Sequence, residues 1–481
     1  MTYLGELATP GEISARVKSD ARIKALSKAL FDGGVEDAYL VGGSVRDMAM
    51  KVERSLPDFD VALKNSSLEL AEAVAKTLGG SGFTLDEGEK AYRVVTDAFE
   101  ADLVGFRADD IEGDLEGRDF TLNAMAVSLN SGEFTDPLDG YSALSEGTLI
   151  PCSGEAMEAD PLRILRAFRL LSTRGFSISP ALQAQMTMTK GELAPDAGRI
   201  SPERIRDELF KLMGGARAGE ALRELKRTGV LFALFPFVNE WEGMDQGDYH
   251  SFDLLEHAIR TAEGAVKITA ECEEWLFGHF AEELEQNVTR RALFIFTALF
   301  HDIGKPATRR VEPGGRVRFI THDTLGGKMI SKLLESLRVG KRARYAAKRV
   351  VAGHMRLYGL ANQERPTERS RLRFIRDLGD ESPETALLAL CDERATGPKA
   401  PAFETLETTA GEILTLYRES LLDVERTEPL LRGREVVDIL GVDEGVLVGE
   451  LLAAVADAEE RGEVSNKEEA LSFLRERLRS L

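Results

Sequence analysis

The chain has 481 residues, 43% of them hydrophobic and 30% charged, with a formal net charge of −21. That length supports two to four domains, and the acidic balance excludes a surface that binds nucleic acid indiscriminately, though not a local basic track. No apolar run reaches a membrane span, the N-terminus has no basic stretch leading into an apolar core, and Cys152, Cys272 and Cys391 are too scattered for a disulfide framework or a metal spacing. A cytoplasmic protein with no membrane contact and no obligate protein partner is expected.

In chain order, Lys18 to Phe31 carries helical spacing of apolar residues and reads as a capping helix. Ala38 to Val41 reads as a short strand running into a flexible glycine turn, Gly42-Gly43-Ser44-Val45-Arg46-Asp47. Asp58-Phe59-Asp60 then opens a second strand that continues to Leu63. Residues i and i+2 of a strand share a face, roughly 6.5–7 Å apart. Two carboxylates so placed suit a pair of Mg²⁺ ions, which in two-metal sites lie about 3.5–4 Å apart. The glycines let backbone amides approach phosphates. The arrangement fits transfer chemistry on a nucleoside triphosphate, although an exposed Asp pair at a strand mouth is the commoner fate of a lone D-x-D. Further strands are expected at Ala91 to Val95, Ala101 to Val104 and Ala124 to Leu129, with turns at Gly79 to Gly82 and Asn130 to Gly132. Asp102 reads as a strand-edge carboxylate.

From Pro161 helical periodicity dominates to the end, apart from loops such as Glu312-Pro313-Gly314-Gly315. Asp160 and Arg163, at i and i+3, would share one helical face. A carboxylate there accepts from the exocyclic amino group of cytosine or adenine, while an arginine donates to the ring nitrogen beside it; uracil and guanine present a carbonyl instead. A surface ion pair is the ordinary meaning of that spacing. Arg163, Arg166, Arg169 and Arg174, and later Lys341 to Arg349, form basic stripes, the latter either an RNA track or the solvated face of a helix. All six histidines fall between residues 250 and 354. Boundaries are placed to give segments 1–150, 151–245, 246–400 and 401–481.

The stretch Leu40 to Leu63 resembles the signature of class II tRNA nucleotidyltransferases, the CCA-adding enzymes and bacterial poly(A) polymerases of the polymerase-β superfamily. Arg118-Asp119-Phe120-Thr121-Leu122-Asn123, Asp136-Pro137-Leu138-Asp139-Gly140, Asp160-Pro161-Leu162-Arg163 and Ile200 to Leu209 are similar to later motifs of that family, in the same order. His257, His301-Asp302 within His-Asp-Ile-Gly-Lys-Pro, and Asp392 resemble the ligands of the HD phosphohydrolases. The resemblance implies an α/β nucleotidyltransferase head with a polymerase-β-like mixed sheet, followed by all-α neck, HD and tail domains. It implies Asp58 and Asp60 as catalytic Mg²⁺ ligands, and Gly42, Gly43, Arg46, Arg118, Asp119, Asn123, Asp160, Arg163 and Arg166 as nucleotide-binding residues. It also implies His257, His301, Asp302 and Asp392 as ligands of Mn²⁺, Ni²⁺, Fe²⁺ or Mg²⁺. His322 and His354 would serve a second metal or a substrate phosphate. The tail is similar to the C-terminal helices of bacterial CCA-adding enzymes.

The implied reaction is template-independent transfer of CMP, and of AMP in a full CCA-adding enzyme, from CTP and ATP to the 3′ end of tRNA. Two positions depart from the family pattern. Ala159 stands where a Glu is usual, and Phe106 to Arg118 is shortened to a bare connector where CCA-adding enzymes carry a longer flexible loop. The second departure points to addition of the two cytidines only. The alternatives are a poly(A) polymerase of the same superfamily and a metal phosphohydrolase whose head binds RNA.

Overall fold

In the computed structural model the described residues are 6–53, 56–88, 90–363, 366–397 and 403–426, then 430–431, 433–440, 448–449, 451–452, 454–455, 458, 464 and 466–479. Two helices, Pro10–Ser19 and Ala21–Asp32, precede the first strand. The single helix expected from Lys18 to Phe31 is therefore divided. Asp20 is extended (φ −62°, ψ 122°), ends the first helix and caps the second by accepting from the Arg22 and Ile23 amides.

Seven strands form one mixed sheet: β1 (Ala38–Val41), β2 (Asp58–Leu63), β3 (Ser81–Asp86), β4 (Ala91–Val95), β5 (Glu100–Gly105), β6 (Ala126–Ser128) and β7 (Phe134–Thr135). Their order is β3-β4-β5-β2-β1-β6-β7. β2 pairs with β5 in parallel, Asp60 beside Asp102, and every other pairing is antiparallel. The glycines expected as a turn at 79–82 end a helix at Gly79, but β3 begins two residues later. The last expected strand is trimmed to Ala126–Ser128. Alternation along β2 buries Phe59 against Phe99, ring centroids 5.4 Å apart, and turns Asp58 and Asp60 to the opposite face.

Beyond residue 160 helices dominate, with three small two-stranded additions the periodicity did not announce. Thr148–Leu149 pairs with Ser177–Ile178, Glu283–Glu285 with Val288–Thr289, and Arg309–Val311 with Val317–Phe319. The loop expected at Glu312 to Gly315 is the turn of the last hairpin. One apolar core runs from Ala8 to Tyr417, joining the head to the helices that follow. Leu431, Val436, Leu451 and Leu474 belong to a separate cluster in the tail. No helix among the described residues is long and apolar enough to cross a membrane.

Candidate active site and metal centre

The glycine segment after β1 is not a flexible turn. It is the first turn of the helix Gly42–Ala49, entered through Gly42 at φ +65°. Only glycine adopts that conformation cheaply, and a Cβ there would stand 3.1 Å from Arg118 Nη1 and 3.2 Å from Asp60 Oδ2. No side chain caps this helix, so its leading amides are free to hold an anion. They open on a cleft of about 750 Å³ lined by Gly42, Gly43, Asp58, Asp60, Arg118 and Asn123, among others. Eight basic and six acidic residues line it, a cationic excess that stands out in a chain of net charge −21.

The Asp60 backbone amide donates to the Ser44 hydroxyl oxygen at 2.7 Å. Burial and the neighbouring Asp60 and Asp102 charges push the Asp58 carboxyl up to about 6. Asp60 is raised as well by burial, with Arg118 opposing. Carboxylates gathered without full compensation in a cleft are what divalent cations neutralise, so Asp58 and Asp60 fit the metals implied for them. Asp102 is otherwise engaged, taking a two-pronged bond from Arg93 at 2.6 and 2.7 Å.

The other expected nucleotide-binding residues divide into two groups. Arg118, Asp119, Asn123 and Arg166 line the cleft with Arg46. Arg46 is buried and donates to Asn123 Oδ1 at 2.7 Å and to Asp47, which in turn accepts from Arg174 at 3.0 Å. Asp119 does not cap the helical turn that follows it. It accepts from the Phe120 amide and Asn123 side chain with one oxygen, and from Arg166 at 3.2 Å with the other. Burial alone would raise the Asp119 carboxyl, but Arg166 beside it holds it below its ordinary value.

Asp160 and Arg163 do not share a helical face. Asp160 is extended (φ −142°, ψ 99°) just ahead of the helix Leu162–Arg174 and accepts from Arg204 at 2.8 Å. Arg163 donates to the carbonyls of Gly117, Arg118 and Ala156 at 2.8–3.2 Å, and neither side chain lines the cleft.

Two buried carboxylates shape this site that sequence reasoning passed over. Glu208 forms an ion pair with Arg169 at 2.8 Å and lies 3.6 Å from Arg166. Asp114 lies in the expected bare connector, which is in fact the short helix Ile111–Glu116, capped by Asp110. Its carboxylate takes bonds from the Arg107 amide and guanidinium on one oxygen and from Arg118 Nε and Nη2 on the other. The helical start at Asp110 was visible as a capping residue; the partners of Asp114 were not.

The second site lies among the C-terminal helices. His257, His301, Asp302 and Asp392 bring one ligand atom each within 4.8 Å of one another, and Asp302, His322 and His354 do the same. Asp302 belongs to both groups. His301, His322 and His354 each donate Nδ1–H to the carbonyl three residues earlier, at 2.7–2.8 Å, which fixes the tautomer and frees Nε2. His257 Nε2 stands 3.0 Å from Asp392 and 3.5 Å from Asp302. Five buried atoms, both ring nitrogens of His257, His301 Nε2 and both Asp302 oxygens, make no hydrogen bond. Orphaned imidazole and carboxylate atoms converging in this way fit a divalent ion. The remaining two histidines stand apart, His250 against the His257 ring and His279 bonded to Glu384. Lys305, which sequence reasoning left without a role, places Nζ 2.6 Å from Asp302 and 2.7 Å from Gln246.

Family models described as "Poly A polymerase head domain", "Probable RNA and SrmB- binding site of polymerase A" and "HD domain" match residues 38–150, 175–242 and 254–396. An A-adding tRNA nucleotidyltransferase of Deinococcus radiodurans is 32% identical over 451 residues, covering 91% of this chain and 94% of that one. A CC-adding tRNA nucleotidyltransferase of Thermus thermophilus is 32% identical over 448 residues, covering 91% and 93%. A CCA-adding enzyme of Thermotoga maritima solved in complex with tRNA shares the fold, with a TM-score of 0.58 at 20% identity over 98% of this chain and all of that one.

Proposed function

This chain belongs to the tRNA nucleotidyltransferase family, and from that premise we propose that it transfers CMP from CTP to the 3′ end of tRNA without a template, stopping after two cytidines. One observation carries the transferase reading: a single cleft gathers Asp58, Asp60, the uncapped start of the helix Gly42–Ala49 and the segment Arg118 to Asn123. Asp58 and Asp60 would hold divalent ions, Mg²⁺ being the fitting choice. Such ions supply charge neutralisation and Lewis-acid assistance to an in-line displacement at phosphorus. The helix amides and Arg118 take the triphosphate, with Gly42 and Gly43 keeping the approach open and Arg46 bracing Asn123. Asp119 and Asn123 orient the ribose, and Arg166 adds charge. Asp160 and Arg163 choose the base. To do so Asp160 exchanges its bond with Arg204, and Arg163 leaves the carbonyls it now holds.

Relatives of both CC-adding and A-adding name stand at 32% identity, so the choice of nucleotide rests on the connector. A short helix tied down through Asp114 has little freedom to reshape the cleft for a second base. We assign 1–150 to transfer, 151–245 to base choice and RNA contact, 246–400 to the metal centre and 401–481 to tRNA placement. The test is extension of a labelled tRNA lacking CCA with CTP, ATP or both, beside Asp60→Ala. Two cytidines and a stop, lost in the variant, is the expected result. Addition of C, C and A overturns the CC-only reading, and no extension overturns the transferase reading.

The convergent orphaned atoms around Asp302 favour a second activity, hydrolysis of an RNA phosphoester such as a 2′,3′-cyclic phosphate. Mn²⁺, Ni²⁺, Fe²⁺ or Mg²⁺ would sit between His257, His301, Asp302 and Asp392, with His322 and His354 completing a second position. Cleavage of a cyclic phosphate that disappears in His257→Ala, with nucleotide addition unchanged, is expected; equal cleavage in the variant refutes it.

A further inference from the structure

Residues 328–349 carry eight basic side chains and one acidic one, in a chain whose net charge is −21. They form the antiparallel helices His322–Ser336 and Lys341–Gly353 and the turn between them. The two helices meet closely at Gly327, where a Cβ would stand 2.9 Å from the Lys348 carbonyl and 3.0 Å from the Ala352 Cβ. Lys328 follows Gly327 directly in the chain, and Lys348 supplies the carbonyl at that contact. The arginines of the pair are committed: Arg342 to Glu282, Arg344 to Glu335, and Arg349 to Glu381 at 2.9 Å. Lys328, Lys332, Lys341 and Lys348 are exposed and have no ion pair among the described residues. Tyr345 stands between them, 56% exposed, its ring 5.3 Å from the Arg349 guanidinium.

The position of this ridge says what it meets. At its turn the Arg338 carbonyl accepts from Arg206 at 3.1 Å. Arg206 lies on the helix Pro202–Met213, which also carries Lys211 into the wall of the cleft. Five residues separate the two along that helix, roughly 7–8 Å. We propose that the lysine ridge Lys328, Lys332, Lys341 and Lys348, with Tyr345, is a docking surface for the phosphate backbone of the same RNA whose 3′ end enters the cleft. Four uncommitted ammonium groups and an exposed ring are the chemistry of a phosphate track with one stacking position. Acidic partners are supplied to its arginines and withheld from its lysines, which favours the RNA track of the two readings its sequence allowed.

The proposal rests on RNA being the substrate, and the test separates the two. Binding of a fluorescent tRNA lacking CCA is measured by anisotropy between 50 and 200 mM salt, for the wild type, a variant with all four lysines changed to Ala and one with all four changed to Arg. Each phosphate contact contributes a slope of about −0.9 in log K against log salt. Four lost contacts therefore make the wild-type affinity fall about a hundredfold more across that range than the Ala variant's. Steady-state extension should show KM for tRNA raised tenfold or more in the Ala variant, with kcat, KM for CTP and addition to a short acceptor-stem hairpin unchanged. The Arg variant should behave as wild type. Equal affinity and equal salt slope in the Ala variant overturn the ridge. A wild type that binds tRNA through the ridge and adds nothing to it overturns the proposed function and leaves the ridge standing.

Discussion

Asp114→Asn is the change that most directly tests how the cleft is built. The Asp114 side chain is 0% exposed and accepts four bonds from two arginines: 3.1 and 3.3 Å from Arg107, and 3.1 and 2.8 Å from Arg118. An asparagine of the same shape has one accepting oxygen, and its NH₂ must face donors on one side or the other. The Arg118 side chain is 14% exposed, and stripping its partner approaches the loss of a buried pair, about 3–5 kcal/mol. At 39% exposure, Arg107 finds water instead and adds about 1 kcal/mol or less. If the amide oxygen settles toward Arg118, the cost falls toward the lower figure, so about 2–4 kcal/mol of local stability should go. Arg118 Nη1 stands where a Gly42 Cβ would meet it, beside Asp60, so loosening it displaces a charge from the proposed triphosphate site. A displacement near 1 Å at a reacting group costs on the order of a hundredfold in rate. We expect kcat for CTP addition to fall about 10–100-fold, with faster amide exchange across residues 107–118. Unchanged kcat together with unchanged exchange there would refute the reasoning.

Gly42→Ala forces a left-handed residue, about 1–2 kcal/mol, and sets a methyl between Arg118 and Asp60; extension rates should drop at least tenfold while circular dichroism stays unchanged. Asp302→Ala removes the residue shared by both histidine groups, so elemental analysis of the reconstituted protein should show both metal equivalents lost, whereas Asp392→Ala loses one. Nucleotide addition should survive both changes. Burial pushes the Cys391 thiol up to about 12 and raises Cys152 and Cys272 as well. The thiolate is the reactive form and is scarcer at pH 8 than in a free cysteine, so iodoacetamide should label the native chain far more slowly than the unfolded chain, with labelling accelerating as pH rises.

What could be read in the sequence was local and periodic. The strand carrying Asp58 and Asp60 was legible because Phe59 between them has an apolar destination, which settles the face of its neighbours. The histidine centre was legible because only six histidines occur in this chain and all lie between residues 250 and 354. The helix at Gly42 was hidden for the opposite reason. Its cap position is Val41, which makes no side-chain bond, and two glycines at the start look like a turn whether or not a helix follows. The break at Asp20 was masked by apolar residues that keep helical spacing across it.

The buried carboxylates escaped because their meaning lies in partners far along the chain. Glu208 holds Arg166 and Arg169 from a helix that begins 28 residues after theirs ends. Asp160 and Arg163 show how spacing misleads at a helix boundary. The rule that i and i+3 share a face holds only inside a helix, and Asp160 is extended, one residue ahead of Pro161 and the turn that follows. Freed from that geometry, Asp160 answers to Arg204 on one neighbouring helix, while Arg163 clamps the backbone carrying Arg118. The clamp and the Asp114 latch therefore hold the same arginine from opposite ends, one through its carbonyl and one through its guanidinium. If the proposed roles hold, base choice and triphosphate binding are joined at Arg118, and a base that draws Arg163 away should also loosen the grip on the phosphates. On the proposed CC-only reading, a connector that is short and tied down would limit how many bases the site accommodates in that way.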